Sequence, residues 1–396
     1  MKISLVMLCY NNWSVTHHAV LSLMSSLTSQ TRRHDIELLL VDNGSTDETA
    51  VLGPETVASV SRPPISGLYV RLPENMGIPI GMNIGIGRCQ GDIIAFLNND
   101  LVFPYGWLDA MLEALVRDRS LGLAVPYLTY TSIPEQGPGP IYSDLAEMPQ
   151  FARQFMEKTK GRTTIVPRVI TSCVLFRRDL LDRIGGLDFW FGLGSLEDND
   201  WSLRSQLAGY RNAVIGGSFV HHIGSVTYHQ LREHEHIYGI NGAKFLRKVG
   251  KMRPPYSRQW HYIPLTIEDF TPPAALEKAP EPSHNQTLLV ADWTYTLSGW
   301  RETLADLMSR NIAHHVSLYI PSLYFDPDEV SRSVREIVRM YDTPASGIQL
   351  LTHDVPPTDF LRFVMSFATI ATVPEDPVNR TIRFLKQSYL DAKGAH

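Results

Sequence analysis

In the stretch 96-FLNNDLVF-103 an apolar run ends abruptly in polar residues, and this is the most informative pattern in the sequence. Residues 93–97 read as a buried strand, and Asn98, Asn99 and Asp100 follow at once. A short continuous apolar run is typical of a strand that is covered on both faces, as in a parallel sheet. Two amides and a carboxylate directly after it indicate that the strand's carboxyl end faces a polar site.

The same pattern recurs along the first hundred residues. Three more apolar runs, 3–9, 36–41 and 68–72, end in polar residues, and helical patterns lie at about 14–27 and 77–89. Alternating strands and helices predict βα units and a mostly parallel sheet. Because ligands of such sheets bind beyond the carboxyl ends of the strands, these ends predict one small-molecule site. Their polar residues are Asn11, Asn12, Asp42, Glu74, Asn75 and residues 98–100.

The sequence predicts two domains joined by a linker. Residues 1–252 form the first α/β domain, and the proline-rich stretch 253–285 reads as the linker. The strand–helix rhythm restarts in residues 286–396, which predicts a smaller, Rossmann-like α/β domain. An oligomerisation module, an acceptor-binding domain and a second transferase lobe are all open roles for it.

Composition narrows the class of protein. The 396 residues are 44% hydrophobic and carry a net charge of -5, which favours a folded protein and argues against nucleic acid as a partner. Three separated cysteines predict buried thiols, and the N-terminus reads as a first strand rather than a signal peptide. With no apolar run of about 18 residues, we expect a cytoplasmic protein; peripheral contact with the inner face of the membrane stays open.

A second acidic cluster follows the aromatic segment 189–193. Glu197, Asp198 and Asp200 stand at the start of a helical pattern, where Asp200 and Arg204 are spaced as an i,i+4 pair. Two interpretations of Asp198 stay open at this point. It forms a capping box with Ser195, three residues earlier, or it is a general base at the edge of an aromatic cleft.

Histidines and glycines give two weaker signals. His221 and His222 follow a predicted strand, and a histidine pair in a protein with acidic strand ends favours a metal ligand over a structural role. Gly77, Gly81 and Gly85 recur every four residues, which predicts a helix packed closely on the sheet, with Asn83 as a polar contact.

Six segments together resemble the family 2 glycosyltransferases, which have the GT-A fold, and they occur in that family's order over about residues 1–250. The arrangement is most similar to bacterial rhamnosyltransferase-like enzymes that build surface polysaccharides. The C-terminal 110 residues are not covered by the resemblance. The segments are SLVMLCYNN, IELLLVDNGSTDET, LPENMGIPIGMNIGI, FLNNDLVF, GGLDFWFGLGSLEDNDWSLR and VHHIGSVTY.

The resemblance implies a set of residues that bind the nucleotide. Asp42 would hydrogen-bond the base, with Tyr10 and Asn11 beside the base and ribose. Asn75 and Asn83 would line the same pocket.

The resemblance also implies a metal site and a base. Residues 98–100 match the family's metal motif, in which two aspartates flank one residue, so Asp100 would bind the metal. Asn98 replaces the first aspartate and serves either the metal or the ribose, with Asn99 beside it. His222, three residues before Ser225, would be a further metal ligand. Asp198 would be the catalytic base, with Glu197 next to it.

The activity implied is an inverting, metal-dependent transfer from a nucleotide diphospho-sugar to a hydroxyl group, with Mn²⁺ or Mg²⁺ as cofactor. The acceptor is a glycan, a lipid-linked molecule or a protein, and homo-oligomerisation through the C-terminal domain stays open. The alternative is a degenerate transferase that only binds nucleotide-sugar or glycan. Asn98 favours testing it, because this residue replaces an aspartate of the family's metal motif.

Overall fold

A computed structural model divides the chain into two compact units. It describes residues 1–139, 141–224, 234–251, 283–294, 298–310, 315–340 and 348–394. Unit 1 comprises Met1–Leu187 and Glu197–His234, and unit 2 comprises Asp188–Leu196 and Glu235–His396. The units do not follow the predicted boundary at residue 252, because two segments before it pack with the C-terminal part. The predicted linker, apart from its last three residues, lies outside the described residues.

Unit 1 is built around one nine-stranded sheet. Its strands are β1 (Lys2–Cys9), β2 (Asp35–Asp42), β3 (Ile65–Arg71), β4 (Ile93–Asn98), β5 (Leu101–Val102), β6 (Leu121–Leu128), β7 (Thr163–Val166), β8 (Cys173–Arg177) and β9 (Arg211–His222). The order is β3-β2-β1-β4-β8-β6-β9-β5, and β7 pairs with β9. β1 to β4 run parallel, whereas β8 is antiparallel to β4 and β6. The predicted α/β fold is confirmed, and the sheet is mixed beyond β4.

Helices fill the connections between these strands. They are α1 (Trp13–Ser26), α2 (Thr49–Val60), α3 (Gly77–Arg88), α4 (Asp109–Arg117), α5 (Met148–Thr159), α6 (Arg178–Ile184) and α7 (Glu197–Leu207). The expected close packing of α3 on the sheet is confirmed. A Cβ atom on Gly81 would lie 2.5 Å from a methyl of Leu8, and one on Gly85 would lie 2.5 Å from a methyl of Val6. Only glycine lets this helix approach the strands so closely.

Unit 2 contains a parallel four-stranded sheet with the order β12-β11-β10-β13. The strands are β10 (Ser283–Leu289), β11 (Val316–Tyr319), β12 (Ile348–Leu351) and β13 (Phe367–Ile370). Its helices are α8 (His234–Lys251), α9 (Trp300–Ser309), α10 (Pro327–Met340), α11 (Pro357–Met365) and α12 (Pro377–Gly394). Numbered within the unit, the strand order is 3-2-1-4, as in half of a Rossmann fold. The predicted smaller α/β domain is confirmed.

The expectation of buried thiols is confirmed in the described residues. All three cysteines are buried and unpaired. None of the helices in this part of the chain combines the length and the hydropathy that crossing a membrane requires.

Candidate active site

The carboxyl ends of β1 to β4 lie side by side. Cys9 is in register with Asp42, Leu8 with Asn98, and Asp42 with Arg71. The polar residues that follow these four strands therefore start from one edge of the sheet. This edge is the candidate site.

Asp42 is fully buried and organises the loop after β2. Its Oδ1 accepts a hydrogen bond from the Ser45 amide at 2.8 Å, and its Oδ2 accepts one from the Tyr69 hydroxyl at 2.6 Å. Arg71 Nε lies 3.9 Å from Oδ2. Each carboxylate oxygen has a second lone pair, so a base could still donate to Asp42 after a local movement exposes it. That contact stays a prediction.

The turn after β1 is hydrogen-bonded to the loop after β2. Asn11 and Asn12 both adopt left-handed backbone conformations, with φ of 52° and 55°. The Asn11 amide donates to Ser45 Oγ at 2.8 Å, and Asn11 Oδ1 accepts from the Thr46 amide at 2.8 Å. Such conformations persist where the surroundings fix them, commonly at functional sites. Tyr10, half-buried, immediately precedes this turn.

Asn75 lies in a network that sequence reasoning did not resolve. Its Oδ1 accepts hydrogen bonds from Asn43 Nδ2 and from the Gly77 amide, each at 3.0 Å. Asn43 Oδ1 in turn accepts from the Met76 amide at 3.0 Å. Asn43 therefore ties the loop after β2 to the loop before α3. The only signal for it in the sequence is its place after Asp42 in the polar run DNGSTDET.

Asn83 is buried on α3, and both ends of its amide bond to the backbone of Leu187. Its Nδ2 donates to the Leu187 carbonyl at 2.7 Å, and its Oδ1 accepts from the Leu187 amide at 2.8 Å. The residue thus holds the chain just before the aromatic segment. Its predicted place in the nucleotide pocket stays a prediction.

The three residues after β4 have different surroundings. Asn99 is buried, and its Nδ2 donates to Thr16 Oγ1 on α1 at 2.8 Å. The Asn98 amide donates to the Ser172 carbonyl at 2.8 Å, and its side chain is half-buried. Asp100 is buried, with 6% of its surface exposed. The middle residue thus supports the fold, and residues 98 and 100 flank it.

The antiparallel pairing of β5 with β9 brings Asp100 to His222. Leu101 is in register with His222, and Asp100 Oδ1 lies 3.3 Å from His222 Nε2. The other ring nitrogen, Nδ1, lies 2.9 Å from the Tyr130 carbonyl oxygen. Burial lowers the pKa of His222, but the Asp100 carboxylate and the Tyr130 carbonyl outweigh it, so the pKa is raised.

The donor set of this pair fits a divalent cation. Because the Tyr130 carbonyl only accepts, Nδ1 carries a proton, and a neutral ring then presents its Nε2 lone pair to Asp100. Two lone pairs facing each other at 3.3 Å need a proton or a cation between them. Asp100 Oδ1 is also buried without a hydrogen bond of good geometry. A carboxylate oxygen with an imidazole oriented by a carbonyl is a usual pair of metal ligands.

The site has only these two acidic or imidazole ligands in the described residues. No group of three or more His, Cys, Asp or Glu side chains suited to a metal occurs in that part of the chain. His221 faces another way, since its Nδ1 contacts the Tyr142 hydroxyl at 2.5 Å. Ser225, the last residue of the His-x-x-Ser pattern, lies outside the described residues.

Asp198 lies in the first turn of α7 with part of its surface exposed. Burial raises its pKa to about 6, although the Asn199 amide and the Arg168 guanidinium act to lower it. The Asn199 amide donates to Asp198 Oδ1 at 2.8 Å, and Arg168 donates to Asn199 Oδ1 at 3.1 Å. A carboxylate with a pKa near 6 can take up a proton at neutral pH. Arg168, which no sequence signal indicated, is therefore part of the site's electrostatics.

The two other acidic residues of the cluster are more deeply buried. Asp200 Oδ2 accepts from Arg204 Nε at 2.8 Å, which confirms the expected i,i+4 pair. Arg204 also donates to the carbonyls of Ile184 and Gly186, so it ties α7 to the end of α6. Glu197 is 6% exposed. Asp198 is thus the most accessible carboxylate of the three.

A family model decides the class of this domain. Residues 4–185 match the model of glycosyl transferase family 2. Nearly half of the chain is therefore similar to the family 2 glycosyltransferases. The matched range covers β1 to β4, with the turns at Asn11, Asp42 and Asn75, and also residues 98–100. The resemblance found in the sequence is confirmed.

Curated relatives of this glycosyltransferase domain come from bacteria. The O-antigen biosynthesis protein RfbC of Myxococcus xanthus is 25% identical over 271 residues, which is 63% of this chain and 19% of the relative. The undecaprenyl-phosphate 4-deoxy-4-formamido-L-arabinose transferase of Pseudomonas fluorescens is 38% identical over 72 residues, 18% of this chain and 20% of the relative. The chain spans about a fifth of the length of these two relatives.

A solved structure also matches the chain. The mannosyltransferase PcManGT from Pyrobaculum calidifontis, in complex with GDP-Man and Mn²⁺, is 17% identical. The match has a TM-score of 0.43 and covers 64% of this chain and 65% of that one.

Proposed function

We propose that the protein is an inverting glycosyltransferase that moves a sugar from a nucleotide diphospho-sugar to a hydroxyl group of an acceptor. The observation that carries the proposal is the pairing of Asp100 with His222 at the carboxyl end of β4, within a family 2 domain. A buried carboxylate and an imidazole lone pair at 3.3 Å suit the cation that a diphosphate donor brings.

The donor's nucleotide lies over the loops after β1, β2 and β3. Asn11, Asp42 and Asn75 belong to hydrogen-bonded turns that begin at one sheet edge, where an open α/β sheet binds its ligands. Since Asp42 already accepts from Tyr69 and Ser45, we assign it to shaping the base pocket as well as to binding the base. We assign Asn98, which is half-buried at the end of β4, to the ribose or the metal.

Asp100 and His222 would hold Mn²⁺ or Mg²⁺, with the donor's diphosphate and water completing the coordination. When bound, the cation neutralises negative charge on the departing diphosphate. The Tyr130 carbonyl keeps the His222 ring in the tautomer that leaves Nε2 free of a proton.

Asp198 acts as the general base. It accepts the proton of the acceptor hydroxyl, and the hydroxyl oxygen forms a bond to the anomeric carbon on the face opposite the diphosphate. The bond between that carbon and the diphosphate oxygen breaks, and its electron pair leaves with the nucleoside diphosphate. One displacement inverts the anomeric configuration. A positioned base contributes about 10²- to 10⁴-fold to such a reaction.

For the acceptor, we favour a glycan of a bacterial surface polysaccharide. The relative that matches 63% of the chain is named for O-antigen biosynthesis. Lipid-linked and protein acceptors, contact with the inner membrane face and self-association through unit 2 are further proposals. Vesicle co-sedimentation tests the membrane contact, and the oligomeric state in solution tests the self-association.

Nucleoside diphosphate release tests the proposal. The 396-residue protein is incubated with UDP-, GDP- and dTDP-hexoses, with Mn²⁺ or with a chelator, and anomeric configuration is read by NMR. Release that needs metal and yields an inverted product supports the proposal. Tight donor binding with no release, to acceptor or to water, would instead favour the binding-subunit alternative.

A further inference from the structure

The nine residues Asp188–Leu196 leave unit 1 and pack within unit 2. The chain on either side, Leu187 and Glu197, belongs to unit 1. The segment opens with a 3-10 turn, Phe189–Phe191, whose three aromatic side chains are buried. It ends two residues before Asp198, so whatever fixes the segment also fixes one end of the turn that carries the proposed base.

Asn241 of α8 holds the second half of this segment. Its Nδ2 lies within hydrogen-bonding distance of three carbonyl oxygens, those of Phe191 at 2.9 Å, Gly194 at 2.7 Å and Ser195 at 3.1 Å. An amide has two protons to donate, so the three acceptors share them. Asn241 is only 2% exposed, and water therefore cannot replace these bonds without opening the unit.

Two lysines of the same helix hold the first half. Lys244 Nζ donates to the Trp190 carbonyl at 2.8 Å, and Lys248 Nζ contacts Asp188 Oδ2 at 2.6 Å. Tyr324 donates its hydroxyl to the same Asp188 oxygen at 2.8 Å, and its ring stacks on Trp190 at 5.1 Å. Buried charges of this kind are stable only when paired.

The backbone conformation of Ser195 and Leu196 explains why the second half of this segment needs hydrogen bonds from α8. Ser195 and Leu196 both have positive φ, 75° and 69°, and neither is a glycine. Two consecutive residues in the left-handed region persist only where the surroundings determine them. The Asn241 contacts to the Gly194 and Ser195 carbonyls are such a constraint. At the other end, Asn83 holds the backbone of Leu187 within unit 1.

We propose that Asn241 is a positioning residue for the transfer reaction: it fixes the turn Gly194–Leu196 and through it the Asp198 carboxylate. This inference rests on the proposed function, because it takes Asp198 as the base. Loss of the contact lowers turnover and leaves the donor site intact.

Asn379 supplies a matched control in the same unit. It is fully buried, and its Nδ2 donates to the carbonyls of Val290 at 2.7 Å and Ala371 at 2.9 Å. None of these bonds goes to the segment Asp188–Leu196. Asn379→Ala therefore removes a buried amide of unit 2 without removing a hydrogen bond to this segment, whereas Asn241→Ala removes three contacts to it.

The experiment uses the full chain with Mn²⁺ and the nucleotide hexose that wild type turns over. For Asn241→Ala we expect kcat to fall at least tenfold, with donor KM and nucleotide affinity within twofold of wild type. The acidic side of its pH profile should move to lower pH, because a carboxylate that gains water has a lower pKa. Asn379→Ala should lose comparable thermal stability and keep kcat within threefold. Asn241→Ser, which retains one donated proton, replaces the alanine variant if that variant does not fold.

Hydrogen exchange of the peptide covering residues 195–204 provides a readout without turnover. Faster exchange there in Asn241→Ala, and not in Asn379→Ala, supports the proposal. Unchanged kcat and exchange in Asn241→Ala, an equal loss of kcat in both variants, or a loss confined to donor affinity overturns it. The proposed function fails separately, if wild type releases no nucleoside diphosphate or if Asp198→Asn stays active.

Discussion

The substitution Asp198→Asn separates chemistry from binding in the proposed mechanism. Asparagine keeps the volume and the position of the side chain but cannot accept a proton from the acceptor hydroxyl. We expect kcat to fall by about 10²- to 10⁴-fold, the range for a general base, while donor affinity stays within a few fold. Nucleoside diphosphate release and calorimetric titration of the nucleotide measure the two quantities.

The pH dependence of the wild type follows from the environment of Asp198. Burial raises its pKa to about 6, and the base works only when deprotonated. Activity is therefore fully present above about pH 7 and is lost as the pH falls through 6. One titration with this pKa leaves about a tenth of the base deprotonated at pH 5, so kcat/KM falls about tenfold.

Asp198 also lowers the free energy of unfolding of the native state. A carboxyl group whose pKa rises on folding destabilises the native state as the pH increases, because the unfolded chain ionises it more easily. A change from 3.8 to about 6, at ~1.36 kcal/mol per pKa unit, gives about 3 kcal/mol at neutral pH. Asp198→Asn removes that cost, so we expect a variant that is nearly inactive and more stable by up to this amount.

Chemical unfolding at pH 7.5 and at pH 4 measures the effect, since the stability gain should shrink as the pH falls below 6 and Asp198 becomes protonated in the folded protein. Two results would contradict the assignment of Asp198 as the general base. One is turnover of Asp198→Asn near the wild-type rate. The other is a kcat/KM that stays flat between pH 5 and 8.

Three further predictions concern the metal, the electrostatics and the fold. Asp100→Ala should abolish the Mn²⁺-dependent part of nucleotide affinity in calorimetry, and an unchanged metal dependence would contradict the assignment. Arg168→Gln should move the acidic side of the kcat/KM profile to higher pH, because the guanidinium lowers the pKa of Asp198; a shift the other way would count against it. Asn83→Ala should destabilise the protein by about 1–3 kcal/mol in chemical unfolding, since the Leu187 backbone loses two buried hydrogen bonds. A loss below about 0.5 kcal/mol would show that water replaces them.

The sequence predicts the sheet well because the core strands are simple signals. The runs at residues 3–9, 36–41 and 93–97 are almost wholly apolar, with Ser4 and Glu37 as the exceptions, and each lies in a largely buried strand of the structure. Helix α2 was not predicted, for a physical reason. It contains Pro54 and has a weak apolar face, so tertiary packing rather than periodicity fixes it.

Local patterns could not show which polar residues are used by the fold. Asn83 and Asn99 read as ligand contacts because they stand on a glycine-rich helix and after a buried strand. Their amides bond to Leu187 and Thr16, which lie 104 and 83 residues away in the sequence. The packing of Asp188–Leu196 with unit 2 is equally non-local, since its partner Asn241 lies beyond α7 and β9.

The motif at residues 98–100 combines a side chain that supports the fold with a proposed metal ligand. Asn99 Nδ2 donates to Thr16 Oγ1, so part of this amide is used within the fold. The family places its two aspartates on either side of this residue, and here Asn98 takes one of these positions. With Asn98 uncharged and His222 neutral, Asp100 brings the only negative charge among these three groups to the cation. Because affinity for hard cations rises with the number of charged ligands, the protein alone should bind Mn²⁺ or Mg²⁺ weakly. The donor's diphosphate then supplies the missing charge, so metal and donor should bind together rather than in sequence.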